Sequence, residues 1–213
     1  MKHALIEVLQ HGTVWCGDHW MQTPQAGLAS GFAALDAVLP AQGWPRAGLT
    51  EILHSQAGIG ELALIMPAIA AQTQQNHHVI LINPPYWVYA PAWAAHGVIL
   101  AYCLVVRPDN IQDVLWTAEQ CLRAGASSLA VIWPEFSRQV PDYKQLQRLQ
   151  AAAVSGQTAG VLFRSAAAAL NASPAPLRLQ VTTDREQLVV RILKRRGAPV
   201  PAPIALASRG GFY

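Results

Sequence analysis

Residues 48–65 read Gly-Leu-Thr-Glu-Ile-Leu-His-Ser-Gln-Ala-Gly-Ile-Gly-Glu-Leu-Ala-Leu-Ile, and this stretch decides the fold. An apolar β-type run (Leu49 to Leu53) leads into a loop of small residues, and an apolar helical stretch follows. That is the layout of a phosphate-binding loop, whose pattern is G-x-x-x-x-G-K-[ST]. With Gly60 as the last loop glycine, the first glycine becomes Ser55 and Gly58 lies inside the loop. The lysine becomes Glu61, and the hydroxyl that would hold magnesium becomes Leu62. A carboxylate at a helix N-terminus is stabilised by the helix dipole. Glu61 is therefore expected to occupy the place where phosphate would bind and to repel it.

The flanks name the scaffold. Residues 30–40, S-G-F-A-A-L-D-A-V-L-P, precede residues 43–51, G-W-P-R-A-G-L-T-E, and residues 192–197 read I-L-K-R-R-G. In this order the segments resemble the RecA core, and most closely the ImuA family of RecA-like accessory proteins, across nearly the whole chain. A weaker likeness is to the SulA family of cell-division inhibitors. The resemblance implies an α/β fold with a RecA-like core and degenerate Walker motifs. It implies a non-catalytic role in SOS-induced, error-prone translesion DNA synthesis. The implied partners are RecA, ImuB (an inactive Y-family polymerase homologue), an error-prone replicative-type polymerase and single-stranded DNA. The alternatives are a SulA-type inhibitor that binds FtsZ and a DNA-dependent RecA-type ATPase.

The ATPase alternative meets two further obstacles. A RecA-type ATPase has a carboxylate after its second core strand to orient the attacking water, and Pro85 falls there. It has an acid at the end of a later apolar strand to hold magnesium. Here Leu129-Ala130-Val131-Ile132 ends in Trp133, and Glu135 follows two residues later as a displaced acid. With Glu61, these three departures argue against ATP hydrolysis, and no cofactor or metal is expected.

The rest of the chain reads as strands alternating with helices. Length, 213 residues, suits one domain with a substantial core. We divide it into an N-terminal helix and linker (1–27), a core (28–196) and a flexible tail (197–213). Residues 3–11 place Leu5, Ile6, Val8 and Leu9 at helical spacing, and this helix is expected to bind a partner. Ser30 is expected to cap a helix over Gly31–Val38. Strands are expected near 49–53, 78–83, 102–106, 128–133 and 159–163. Pro67 implies a kinked helix or one that begins near Met66, since an interior proline costs ~3 kcal/mol. Asp109 is expected to cap a helix whose apolar face is Ile111, Val114, Leu115, Ala118, Cys121 and Leu122, ended by Gly125. Asp142 is expected to cap a helix with Leu146, Leu149 and Ala153 on one face, ended by Gly156. Alternation over Leu177–Thr182 and Leu188–Leu193 reads as a terminal antiparallel hairpin. Such an order gives a mostly parallel sheet with helices on both faces.

Apolar residues make up 52% and charged residues 13%, so surface is expected to be reserved for partners. No apolar run approaches the ~18 residues of a membrane span, and residues 1–23 lack a continuous apolar core, so neither membrane nor signal peptide is expected. Three widely spaced cysteines fit a reducing, cytoplasmic setting without a metal site. Eight of the fifteen Lys/Arg but two of the twelve Asp/Glu lie from Arg164 onward. Lys194, Arg195 and Arg196 at the end of the last expected strand are candidates for contact with nucleic acid or an acidic partner, or form a solvated end. Tyr86, Trp87 and Tyr89, after Pro84-Pro85, are expected to form an exposed aromatic protein contact. Trp116, inside a helical pattern, is expected to pack. His77 and His78 are adjacent and point to opposite faces of a strand end, so they are not expected to share a ligand.

Overall fold

The computed structural model describes residues 26–55, 58, 60–136, 139–184, 187–197 and 202–206. The expected helix over residues 3–11, with Leu5, Ile6, Val8 and Leu9, lies outside the described residues.

Eight strands form one mixed sheet: β1 (Gly48–His54), β2 (Val79–Ile82), β3 (Cys103–Val106), β4 (Leu129–Ile132), β5 (Ala159–Ser165), β6 (Leu177–Asp184), β7 (Gln187–Lys194) and β8 (Ile204–Leu206). Their order is β3-β2-β4-β5-β1-β6-β7-β8. The pairs from β3 across to β6 are parallel, and β6–β7 and β7–β8 are antiparallel. Parallel neighbours need crossovers, and the intervening helices supply them. Both faces of β1, β2, β4 and β5 are covered, which is why these strands read as continuous apolar runs.

The two faces bury separate apolar layers. On one, helix α1 (Ala33–Asp36) and helix α2 (Met66–Gln74) pack Leu35, Met66 and Ile69, with the fully buried Trp44 from the segment before β1, onto Ile52, Leu81, Val131 and Phe163. On the other, α4 (Ile111–Ala124) and α5 (Tyr143–Ser155) set Val114, Ala118, Leu122 and Leu149 against Ile80, Ile82, Ala130 and Leu162. The short helix α3 (Ala90–Ala95) buries Trp93 beside the first layer.

Several expectations are adjusted by local chemistry. The helix after the loop begins at Met66 with Pro67 in its first turn, where the missing N–H costs nothing. Asn110, not Asp109, caps α4: its side chain accepts the Asp113 N–H at 2.9 Å while its own backbone is extended. Asp142 and Gln145 close a reciprocal capping box on α5. Ser30 does not cap α1; its hydroxyl accepts from Phe32 N–H inside the preceding turn, and Phe32 takes the cap position. Ala166–Leu170, between β5 and β6, forms a 3-10 helix. The tail is not wholly loose: Ile204–Leu206 adds an edge strand to β7.

The ends of α4 and α5 meet at two glycines. Gly125 adopts φ +63°, and Gly156 lies so close that an added Cβ would stand 2.0 Å from the Leu122 carbonyl oxygen. Gly156→Ala must push the two helix ends apart. The expected loss is about 1–3 kcal/mol, read as a lower midpoint in urea unfolding with an unchanged slope.

Candidate functional site

The chemistry-bearing residues gather at the carboxyl ends of the parallel strands, the edge where ligands bind in open α/β sheets. β1 ends at His54, and Ser55 and Gly58 are exposed in the loop beyond it. Gly60 sits at φ +86°, which lets the chain turn back into a short 3-10 helix, Glu61–Leu64. Glu61 opens that helix and is nearly buried. Both of its carboxylate oxygens lie 3.1 Å from the Gly58 nitrogen and accept its N–H. A loop amide that could face an anion is thus taken by the chain's own carboxylate. Leu62 turns inward onto the core instead of offering a hydroxyl.

Pro85 lies exposed just past β2. Trp133 follows β4 and stacks on Phe163 of β5, with ring centroids 5.2 Å apart and planes 17° from parallel. Glu135 Oε1 accepts the Ser165 N–H at 3.0 Å and lies 4.0 Å from Arg164 Nε. The Asn83 amide donates to the carbonyls of Trp133 (2.9 Å) and Glu135 (3.2 Å), tying the end of β2 to the segment after β4. These groups border a crevice of about 290 Å³, which His54 and Phe136 also line.

Beneath the crevice is a buried ionic cluster that the sequence reading missed. Glu51, in the middle of β1, is fully buried. One carboxylate oxygen accepts from Arg164 Nη1 (2.9 Å) and Ser173 Oγ (2.8 Å), the other from Arg178 Nε (2.7 Å). Arg178 also donates to the carbonyls of Ala168 and Asn171, so the loop between β5 and β6 is fastened to the sheet. A lone acid within an apolar strand was the available signal, because a buried charge must find partners.

The aromatic segment is exposed: Tyr86 65%, Trp87 84% and Tyr89 67%. Arg107 holds it from below. Its guanidinium lies 4.3 Å from the Trp87 ring centroid and donates to the carbonyls of Pro84 and Tyr86. Trp116 is also exposed, against expectation. α4 turns its opposite face to the sheet, and Trp116 borders a groove with α5 beside Gln112 and Arg148.

The basic strand end is less free than its sequence suggests. Lys194 Nζ donates to the Ser173 carbonyl at 2.8 Å, and Arg195 donates to the Val38 carbonyl. Arg196 is exposed. These bonds brace β7 against neighbouring loops, and Lys194 and Arg196 remain exposed. His77 and His78 are exposed at the start of β2, with His77 near Gln72 Oε1 and His78 edge-on to Tyr102. Among the described residues there is no cluster of His, Cys, Asp or Glu that could hold a metal ion. Burial pushes the Cys103 thiol up to about 11 and raises that of Cys121, which keeps both protonated and unreactive at neutral pH. Among the described residues no helix is long and apolar enough to cross a membrane.

Comparison with known proteins gives a distant relationship to RecA. The chain is 30% identical to RecA of Bacillus licheniformis over 112 residues, which is 52% of this chain and 32% of that protein. It is 31% identical to RecA of Oceanobacillus iheyensis over 108 residues, 50% of this chain and 30% of that protein. The chain therefore spans about a third of the length of the curated relatives it matches. A structural match is SulA from Pseudomonas aeruginosa, with a TM-score of 0.45 and 22% identity over 55% of this chain and 97% of that one. No family model matches. Over about half its length, on a mostly parallel sheet that ends in an antiparallel hairpin, the chain is RecA-like.

Proposed function

We propose that this protein is a non-catalytic RecA-like accessory factor of SOS-induced, error-prone translesion DNA synthesis. In this reading it contacts RecA and bridges it to ImuB and an error-prone replicative-type polymerase. The observation that carries the non-catalytic half is the Glu61 carboxylate on the Gly58 amide. Two unit charges 4 Å apart repel by about 4 kcal/mol at an effective dielectric of 20, so a phosphate brought to this loop meets a strong local penalty. Pro85 and Trp133, standing where the catalytic and metal-holding acids are expected, support the same reading. The exposed Tyr86, Trp87 and Tyr89 support the partner-binding half, because aromatic side chains with an arginine beneath them make good contact anchors. Residues 3–11 and Arg196 are further contact candidates.

Calorimetry with ATP and magnesium is expected to give no binding heat at concentrations that saturate a RecA control. Turnover is expected to stay at background with and without single-stranded DNA. Hydrolysis that is stimulated by DNA and disappears in Glu135→Ala would overturn the reading and make Glu135 a displaced catalytic acid. Affinity capture from DNA-damaged cells is expected to return RecA or polymerase components. Recovery of FtsZ in their place would point to division control.

A further inference from the structure

The crevice at the carboxyl ends of β1, β2, β4 and β5 has features that the accessory role does not use. At about 290 Å³ it stands at the low end of small-molecule pockets, which run roughly 300–1,000 Å³. That is room for one heterocyclic ring system. The Trp133–Phe163 stack, Phe136 and Pro85 give it flat apolar walls. Its polar groups converge from four strands: His54, Asn83, Glu135, Arg164 and Ser165.

One nitrogen in each of two of these groups lacks a hydrogen-bond partner. His54 Nδ1 and Arg164 Nε are both shielded from solvent and unsatisfied. Arg164 is 2% exposed and spends Nη1 on Glu51, while Nε stays 4.0 Å from Glu135 Oε1, beyond hydrogen-bond reach. Unsatisfied buried donors are rare in native proteins, and each calls for a reason. Glu135 is the opposite kind of group. Its Oε1 is oriented by the Ser165 N–H, its backbone carbonyl by Asn83, and its side chain is 30% exposed toward the opening. The crevice therefore offers flat apolar walls, an acceptor fixed from both sides and two nitrogens in want of a partner.

We propose that this crevice binds a nucleobase with a guanine-type edge. A guanine ring presents adjacent N–H donors that suit a carboxylate, and O6 and N7 acceptors that suit donor nitrogens. Its faces are apolar enough to lie along the Trp133–Phe163 wall. Glu135 takes the donor edge, and a small rotation of the His54 ring and the Arg164 side chain brings their shielded, unpaired nitrogens to the acceptor edge. The same base chemistry comes from a free nucleoside or from one unstacked base of a single strand. The site is independent of the accessory role, since its assay contains no partner protein.

Ligand-observed NMR titrations of the full chain test this with 2′-deoxyguanosine, deoxyadenosine and deoxycytidine, and with an oligothymidylate carrying or lacking one guanine. Deoxyguanosine is expected to bind at least tenfold more tightly than the other two nucleosides. Glu135→Gln keeps an acceptor for the Ser165 N–H but loses the charge, and is expected to weaken binding at least tenfold. His54→Phe should weaken it several-fold, and Trp116→Ala, on the outer face of α4, should leave it unchanged. Thermal unfolding near the parental midpoint shows that each variant is folded. Preference for the guanine-bearing oligonucleotide assigns the site to a strand; preference for the nucleoside assigns it to a free base. Either supports the proposal. No saturable binding of any base at millimolar concentration, or binding equal in the parent, Glu135→Gln and His54→Phe, overturns it.

Discussion

Replacing Glu51 by alanine is expected to destabilise the fold by about 3–5 kcal/mol, and by the upper end of that range because two arginines lose their counter-ion together. Arg164 and Arg178 are buried and would be left as uncompensated cations beneath the sheet edge. Ser173 would lose its partner as well, and the loop that Arg178 holds through Ala168 and Asn171 would loosen. Net stabilities of domains run at about 5–15 kcal/mol, so such a loss leaves a large unfolded population at 37 °C. Urea unfolding followed by circular dichroism measures it. A companion variant separates charge from packing: Glu51→Leu combined with Arg164→Met and Arg178→Met removes all three ions. It should recover much of the stability, because a buried ionic cluster is often no better than apolar side chains of similar volume. If Glu51→Ala alone costs less than 1 kcal/mol, the cluster does not support the fold in the way its geometry indicates.

Trp87→Ala is expected to weaken binding of the proposed partners by about 2 kcal/mol or more, roughly thirtyfold in affinity. The same change should alter stability by less than about 0.5 kcal/mol beyond its contact with Arg107, because the side chain is 84% exposed. That separation of binding from folding distinguishes a contact residue from a core one. Arg107→Ala should reproduce part of the binding loss, since the guanidinium orders the segment through Pro84, Tyr86 and the Trp87 ring. Biolayer interferometry with immobilised RecA and, separately, ImuB reads both effects. Parental affinity of Trp87→Ala for each partner would leave the aromatic segment without a binding role.

Much of the architecture was legible because burial writes itself into periodicity. Strands covered on both faces give runs such as Val79–Ile82 and Leu129–Ile132. Helices covered on one face give the spacing of Val114, Ala118 and Leu122. The same logic failed at Arg178. Alternation assigned it to a polar face, but β6 pairs with β1 and is covered on both sides there, so the polar-looking position is an interior one. β8 was hidden for another reason. Three residues after Pro203 carry too short a pattern to read, and only the free edge of β7 gives them a ladder to join. Trp116 shows the reverse error: a helical pattern says which face is apolar, not that every aromatic on the helix lies on it.

The candidate site divides along the same line. The sequence by itself determined the loop chemistry, because Glu61 reaches Gly58 across three residues and chain connectivity alone brings them together. It also determined the exposed aromatic segment, since Pro84 and Pro85 end β2 and leave Tyr86, Trp87 and Tyr89 without a strand to bury them. Only the tertiary structure decided the ionic cluster and the crevice. Glu51 meets Arg164 and Arg178 across 113 and 127 residues, and the crevice draws walls from four strands. Those meetings depend on the register of the parallel sheet, where Glu51 stands opposite Leu162 on one side and Arg178 on the other. Register is set by packing of the two apolar layers together, and no local stretch of sequence carries that information.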